Sequence, residues 1–414
     1  MPEKYILMNR SSAAAALTID SADYDHCIKS IEIIDLNKTP FPVRYCVDPE
    51  QPQTMESWIY RRLISPNRYG LEKILDLTKA NRLESSLMAY GLSLTDGFWF
   101  KPENDNSIQW SDINFFSHSF SYDIGNIAFG LNTEHCDFLT PDLTTNGRME
   151  KTWRSRNNTT WLLKKGSPPY YEEPFNEKAV STIMQKISKV PFVKYDVIFI
   201  RRYAVSICEN FTKEGIEFVS AADLSKTAPK PSYIDTERHL RERCKFFKIP
   251  GYIEFLNELK IIDFITGNMD RHLGNYGFLY DSDTDKFIGP APIYDNGSSL
   301  WFNEPAENII ESINVTRQSA KRLAATIKHP EKYLLPKNII PELKELISNT
   351  YADSGLYSDR AVPIETLLSQ RYESLSEYLE IELEKSLQTD EVLLKFAKQK
   401  MREGHGLQEV RAYE

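Results

Sequence analysis

Residues 264–281 read "FITGNMDRHLGNYGFLYD" and place Asp270, Arg271, His272 and Asn275 within six consecutive positions. The helically spaced run "YIEFLNELKIIDFITGN" leads in and the strand-like "YGFLY" leads out. Local propensity asks such a junction for turn formers. It does not ask for an acid, an imidazole and an amide together. Taken alone, the segment reads equally well as a tight turn whose side chains bond their own backbone.

The next segments shift that balance. "DSDTDK" is a polar turn, followed by "FIGPAPIYD", a strand ending at Asp295 just before Asn296-Gly297. Asp281, Asp283 and Asp285 imitate the start of a calcium-binding loop. Its sixth position, however, is Lys286 instead of Gly, and its twelfth is Pro292 instead of Glu. A hairpin tip is the better reading. Such a hairpin brings Asp295 back beside Asn275. One carboxylate and one amide oxygen then suit a nucleotide-borne Mg²⁺, a hard cation that keeps oxygen ligands. Asp270 is left to orient a nucleophilic hydroxyl and take its proton. An Asp five residues before a metal-binding Asn, with a second metal Asp on the next hairpin, is a phosphoryl-transfer layout.

Phosphates also need a cation and a glycine-bearing loop upstream. "LTTNGRMEKTW" offers Thr144, Thr145, Asn146 and Gly147 as a tight turn between strands, its amides free to cradle phosphates. "WLLKKGS" carries Lys164 at the end of an apolar strand, and Glu177 lies on the following helix "EEPFNEKAVSTIMQKI". A strand lysine held by a helix glutamate aims an ammonium at the α- and β-phosphates. The bland alternative is an ion pair at a sheet edge. Adjacent strand residues face opposite sides, so Lys164 and Lys165 compete for the role. His272 is read as bracing the Asp270 loop or stabilising phosphate charge. His26, His118, His135, His239, His329 and His405 lie outside any constellation.

Around this centre, 414 residues exceed one typical core. Three parts are expected: an N-terminal α+β domain over 1–135, a sheet-rich lobe over 136–235 and a helical lobe with the hairpin over 236–414. Residues 4–20 and 30–46 look like strands, and 54–90 like helices broken at Ser65-Pro66-Asn67. A net charge of −9 argues against a nucleic-acid-binding surface. The basic cluster of Arg148, Lys151, Arg154 and Arg156 reads as a solvated face. Five scattered cysteines with no CxxC pair suggest reduced thiols in a cytoplasmic protein, without zinc or disulfides. No run approaches the ~20 apolar residues that span a bilayer, so no membrane is expected. GxSxG, HExxH and GxxxxGK[ST] are absent.

"GNMDRHLGNYGF…GPAPIYDNGSSL", with "LLKKGSPPYYEEPFNE" upstream, resembles the HipA-like serine/threonine kinases, a bacterial family with a two-lobed kinase fold. The resemblance covers about residues 140–310 and implies ATP and Mg²⁺ as cofactors. Position by position, it makes Asp270 the catalytic aspartate, Asn275 and Asp295 the Mg²⁺ ligands, Lys164 the phosphate lysine and Glu177 its partner. Thr144 to Gly147 become the phosphate loop, with Thr144 or Thr145 a site of autophosphorylation. The N-terminal part resembles that of Firmicutes-type HipA-domain proteins and not that of the toxin which named the family. A protein substrate and an antitoxin-like or other protein partner are the implied contacts. Two rivals remain at this point: a kinase for a small molecule or lipid headgroup, and a pseudokinase binding module.

Overall fold

The computed structural model describes residues 2–23, 26–131, 136–312, 316–352 and 358–402. His135 and His405 fall outside them. The class is α+β, as expected: the described residues form three antiparallel sheets and a set of helices. By backbone packing the chain forms two units. One comprises 1–256 with 268–303 and holds all three sheets; the other comprises 257–267 with 304–414 and is helical.

The first sheet runs β3-β2-β1-β4, from β1 (Glu3–Asn9), β2 (Ser12–Ile19), β3 (Ile28–Ile33) and β4 (Phe98–Pro102). β2 carries four consecutive alanines, residues that favour helices. Burial overrides that preference: Ala14 and Ala15 are fully covered, and Leu7, Leu17 and Ile19 pack with Met55, Trp58 and Ile59 of the Pro52–Arg62 helix. The strand expected over 30–46 stops at Ile33. Pro40 and Pro42 lack the amide a ladder needs, and a short helix, Phe41–Arg44, follows. Residues 54–90 form three helices: Pro52–Arg62, Leu71–Thr78 and Arg82–Met88. Asn81 starts the last with a reciprocal capping box to Glu84.

The second sheet runs β5-β6-β8-β7, from β5 (Lys151–Arg156), β6 (Thr159–Lys165), β7 (Tyr195–Ile200) and β8 (Tyr203–Glu209). Asn157 and Asn158 both take positive φ, 52° and 61°. A two-residue hairpin of matching twist demands this, and asparagine tolerates it. The turn sets Lys151 opposite Lys164. The Glu173–Ile187 helix buries Ala179, Val180, Ile183 and Met184. Ahead of β5, residues 141–144 form a 3₁₀ turn and not the strand expected, because Thr140 caps it and Pro141 starts it.

The third sheet runs β11-β10-β9, from β9 (Ile216–Ser220), β10 (Gly277–Asp281) and β11 (Lys286–Pro290). Its β10–β11 tip is a polar hairpin, with Asp281 accepting from the amides of Asp283 and Thr284. Asp283 pairs with Arg10 and Asp285 with Arg44, so the aspartates answer arginines. The strand expected through Asp295 ends at Pro290; only a bridge of Ile293 to Phe192 continues it.

In the helical unit the Ser358–Arg402 helix buries Ile364, Leu367, Leu368, Tyr372, Leu375 and Leu379 at helical spacing. It meets the Thr316–Ala324 and Ile340–Ala352 helices. Among the described residues no helix is long and apolar enough to cross a membrane, and Cys27, Cys46, Cys136, Cys208 and Cys244 are all free thiols.

Candidate active site

The segment 268–275 folds on itself just after the Tyr252–Thr266 helix, which Gly267 terminates at φ 65°. The Asp270 amide donates to Asn268 Oδ1 at 3.0 Å. The His272 amide donates to Asp270 O at 3.0 Å, and the Asn275 amide to His272 O at 2.9 Å. His272 Nδ1 accepts the Gly274 amide at 3.0 Å, which makes it a brace of this turn. Asn275 Nδ2 donates to Asp270 O at 2.9 Å. Its Oδ1 has no hydrogen-bond partner among the described residues, nor does the exposed Asp270 carboxylate.

Arg271 ties this turn to residues 294–296. Its guanidinium donates to Asn275 O at 3.0 Å, Tyr294 O at 2.6 Å and Asn296 Oδ1 at 2.5 Å. The Tyr294 hydroxyl donates to Gly274 O at 3.0 Å. Asp295 sits between, in the left-handed region at φ 60°, a conformation costing roughly 1–3 kcal/mol for a residue with a Cβ. Its amide is held by the Tyr195 hydroxyl at 3.3 Å.

Lys164 reaches this place from β6. Its ammonium bonds Glu177, with 4% of the lysine side chain and none of the glutamate exposed, and Asp295 Oδ1 at 2.9 Å. Burial acts to lower the lysine pKa, but the charges of Asp295 and Glu177 outweigh it and raise the value well above the ordinary one. Burial also works against ionised Asp295, yet Lys164, Lys151 and Arg271 hold its carboxyl well below the usual range. Burial pushes Glu177 upward against the pull of Lys164. Glu177 Oε2 also accepts the Asn296 amide at 3.3 Å, and Asn176 Nδ2 donates to Gly297 O and Ser299 O, both at 2.9 Å. The helix thus grips the segment that carries Asp295.

Lys165 faces the other way, pairing with Glu150 and lying 3.8 Å from the Tyr203 ring centroid. The Thr144 and Thr145 hydroxyls are engaged inside their loop. Thr144 donates to Leu92 O at 2.5 Å, and Thr145 donates to Pro141 O at 2.7 Å while accepting from Trp153 Nε1 at 2.8 Å. Gly147 takes φ 103°, a conformation that disfavours a side chain, and a Cβ there would displace the Lys151 ammonium.

Two residues belong here that sequence reasoning missed. Lys151 is not part of a solvated cluster. It stands cross-strand from Lys164, donates to Asn146 O at 2.8 Å, and is depressed to about 7 by burial and by the charges of Arg68 and Lys164. The Asn157-Asn158 turn signal, read together with strand alternation, contained that register. Arg68, 5% exposed, bonds the carbonyls of Thr145, Asn146 and Gly147. Burial lowers its pKa to about 10. No local signal at residue 68 announces a contact so distant in sequence.

For a divalent cation, the free Asn275 Oδ1 and the ionised Asp295 are hard oxygen donors on adjoining segments. Among the described residues no group of three or more His, Cys, Asp or Glu is placed to hold a metal by itself. A sparse donor pair fits an ion that arrives on phosphates and keeps waters.

No family model matches this chain. Over 103 residues it is 30% identical to the serine/threonine-protein kinase CtkA of Helicobacter pylori, a match covering 23% of this chain and 31% of CtkA. Over that stretch the chain is similar to a serine/threonine-protein kinase. It spans under a third of the curated relative's length in that match. Among solved structures, the proinflammatory kinase CtkA of H. pylori matches with TM-score 0.46 and 19% identity, over 57% of this chain and 95% of that one. HipA of Shewanella oneidensis MR-1, from a toxin–antitoxin complex with HipB and operator DNA, matches with TM-score 0.46 and 13% identity, over 91% and 97%.

Proposed function

We propose that this protein is an ATP- and Mg²⁺-dependent kinase that transfers a γ-phosphoryl group to a protein serine or threonine hydroxyl. The observation that carries the reading is the buried Lys164 ammonium, bonded at once to a helix glutamate and to Asp295. A structural ion pair needs one carboxylate; the second, Asp295, is a ligand that a divalent cation would take, leaving the ammonium for the phosphates the cation carries. Lys164 orients the phosphates, Glu177 holds Lys164, and Lys151 with the residue 144–147 loop closes over the terminal phosphate. Asn275 and Asp295 hold Mg²⁺, which would neutralise phosphate charge. Asp270, exposed and unbonded, orients the acceptor hydroxyl and takes its proton, while His272 keeps the Asp270 turn in shape. Thr145, on the loop, is the candidate for autophosphorylation. The protein acts in the cytoplasm, and residues 1–135 serve a substrate or protein partner.

The test is incubation of purified protein with γ-labelled ATP and Mg²⁺ beside Asp270→Ala. Wild type is expected to transfer label. The variant should bind nucleotide normally and lose at least about a hundredfold in rate, the lower end of general-base contributions. Equal labelling of both proteins would sink the assignment of Asp270. Nucleotide binding by neither would sink the kinase reading.

A further inference from the structure

β7 ends the second sheet, and its ladder bonds go to β8. Its other side has no strand against it among the described residues. The Tyr195 amide turns away from β8 to donate to Ser181 Oγ at 3.3 Å, and the Val197 amide to donate to Asp196 Oδ1 at 2.8 Å. Alternation points the Phe199 amide outward as well. Residues 197–200 read "VIFI", uncharged throughout, with Phe199 64% exposed. A bare apolar edge of this kind is a template for strand pairing.

Charge stands at both ends of that edge. Residues 178–202 hold six basic side chains, Lys178, Lys186, Lys189, Lys194, Arg201 and Arg202, all exposed. They hold one acid, Asp196, which pairs with Lys178. β8 adds Glu209, at the end remote from the arginines. The whole chain, by contrast, is acidic at −9. The β7–β8 turn also breaks the rule that Asn157-Asn158 keeps: its two residues are Arg201 and Arg202, with Arg201 at φ 54°. Asn or Gly would hold such a turn with less strain. The arginines answer to something other than turn geometry.

We propose that the β7 edge docks an acidic, extended segment of a partner protein, which adds to the sheet as a further strand. Its backbone bonds the outward Val197 carbonyl and Phe199 amide, and its apolar side chains cover Phe199. Its carboxylates meet Lys194 at one end and the two arginines at the other. A second copy of β7 fits poorly, since antiparallel pairing would set Lys194 of each against the arginines of the other. The Glu173–Ile187 helix borders this edge through the Lys178–Asp196 pair, so an occupant bears on the helix that holds Lys164. Docking there does not depend on phosphoryl transfer.

A fluorescein-labelled peptide of about six residues, alternating Glu and Val, is titrated with the full chain and followed by anisotropy. Saturable binding that salt weakens is expected. Arg201→Glu with Arg202→Glu should weaken it about tenfold or more, and Phe199→Pro should do the same with every charge left in place. Proline there removes only an outward amide, so the β8 ladder survives and the melt should match wild type. Where it does not, Phe199→Glu, which sets an acid on the edge, takes its place. No binding up to about 0.5 mM protein overturns the proposal. So does wild-type affinity in the position-199 variant, or equal affinity for a single-stranded thymidine oligonucleotide, either of which leaves a basic surface open to any anion.

Discussion

Single residues here carry charge states that their burial decides. Glu217 on β9 is 5% exposed, and burial, with Asp96 nearby, raises its pKa to about 8 against the pull of Arg10. A carboxyl raised on folding favours the native state while it is protonated. That contribution is complete below the unfolded value near 4.5 and is lost as pH rises through about 8. Glu217→Gln is therefore expected to leave Tm nearly unchanged at pH 4.5 and to raise it at pH 9, as read by thermal melts at both. A gain of equal size at both would show that titration is not the cause. Lys151 offers a second case. Neutral above about 7 when the site is empty, it must take up a proton to meet a phosphate. Nucleotide affinity should then weaken as pH rises from 6.5 to 8.5, with a slope that Lys151→Met abolishes in a fluorescence titration.

At the scale of elements, the Glu173–Ile187 helix is the organiser of the site. Glu177 holds the β6 lysine, while Asn176, one position earlier, holds two carbonyls of the segment beyond Asp295. Asn176 is fully buried, so removing its amide leaves acceptors without donors. Asn176→Leu should cost about 1–3 kcal/mol in denaturant unfolding, and should lower nucleotide affinity as well, since Asp295 loses its footing. A stability loss with unchanged affinity would separate the helix from the site. The spacing of Lys164 and Glu177 and the hairpin from Asn275 toward Asp295 were legible in the sequence, because strand and helix periods and turn residues are local. The 3₁₀ turn over 141–144 was not, since besides the Thr140 cap it is held by the Thr144 hydroxyl donating to the Leu92 carbonyl, 52 residues away.

Over the whole molecule, residues before 135 share a core with those that follow. Ile64, Trp99, Trp110 and Phe120 pack with Leu143 and Trp153 in one cluster. Deleting residues 1–135 would open that cluster, so the remaining chain is expected to bind a hydrophobic dye and to lose its cooperative melt. A cooperative melt at the wild-type temperature would show the parts to be independent. Ligand linkage acts at the same scale. ATP with Mg²⁺ at a hundredfold excess over Kd should stabilise the native state by about 2.7 kcal/mol. Chelation of the metal, or Asp295→Ala, should remove most of that gain in a thermal-shift series.

By itself the sequence determined the α+β class, the turn at 268–275 and the two asparagines that set the β5–β6 register. It also determined the short list of acids, amide and lysines from which a phosphoryl-transfer site would be drawn. These follow from periodicities and turn chemistry acting over a few residues. Only the tertiary structure decided that Lys164 and not Lys165 meets Glu177, and that Arg68 holds the loop over residues 145–147. Alternation says that neighbouring lysines face opposite sides but not which side is which. That choice is made by burial against elements tens of residues away, where an ammonium or guanidinium is tolerated only if carboxylates or carbonyls wait for it.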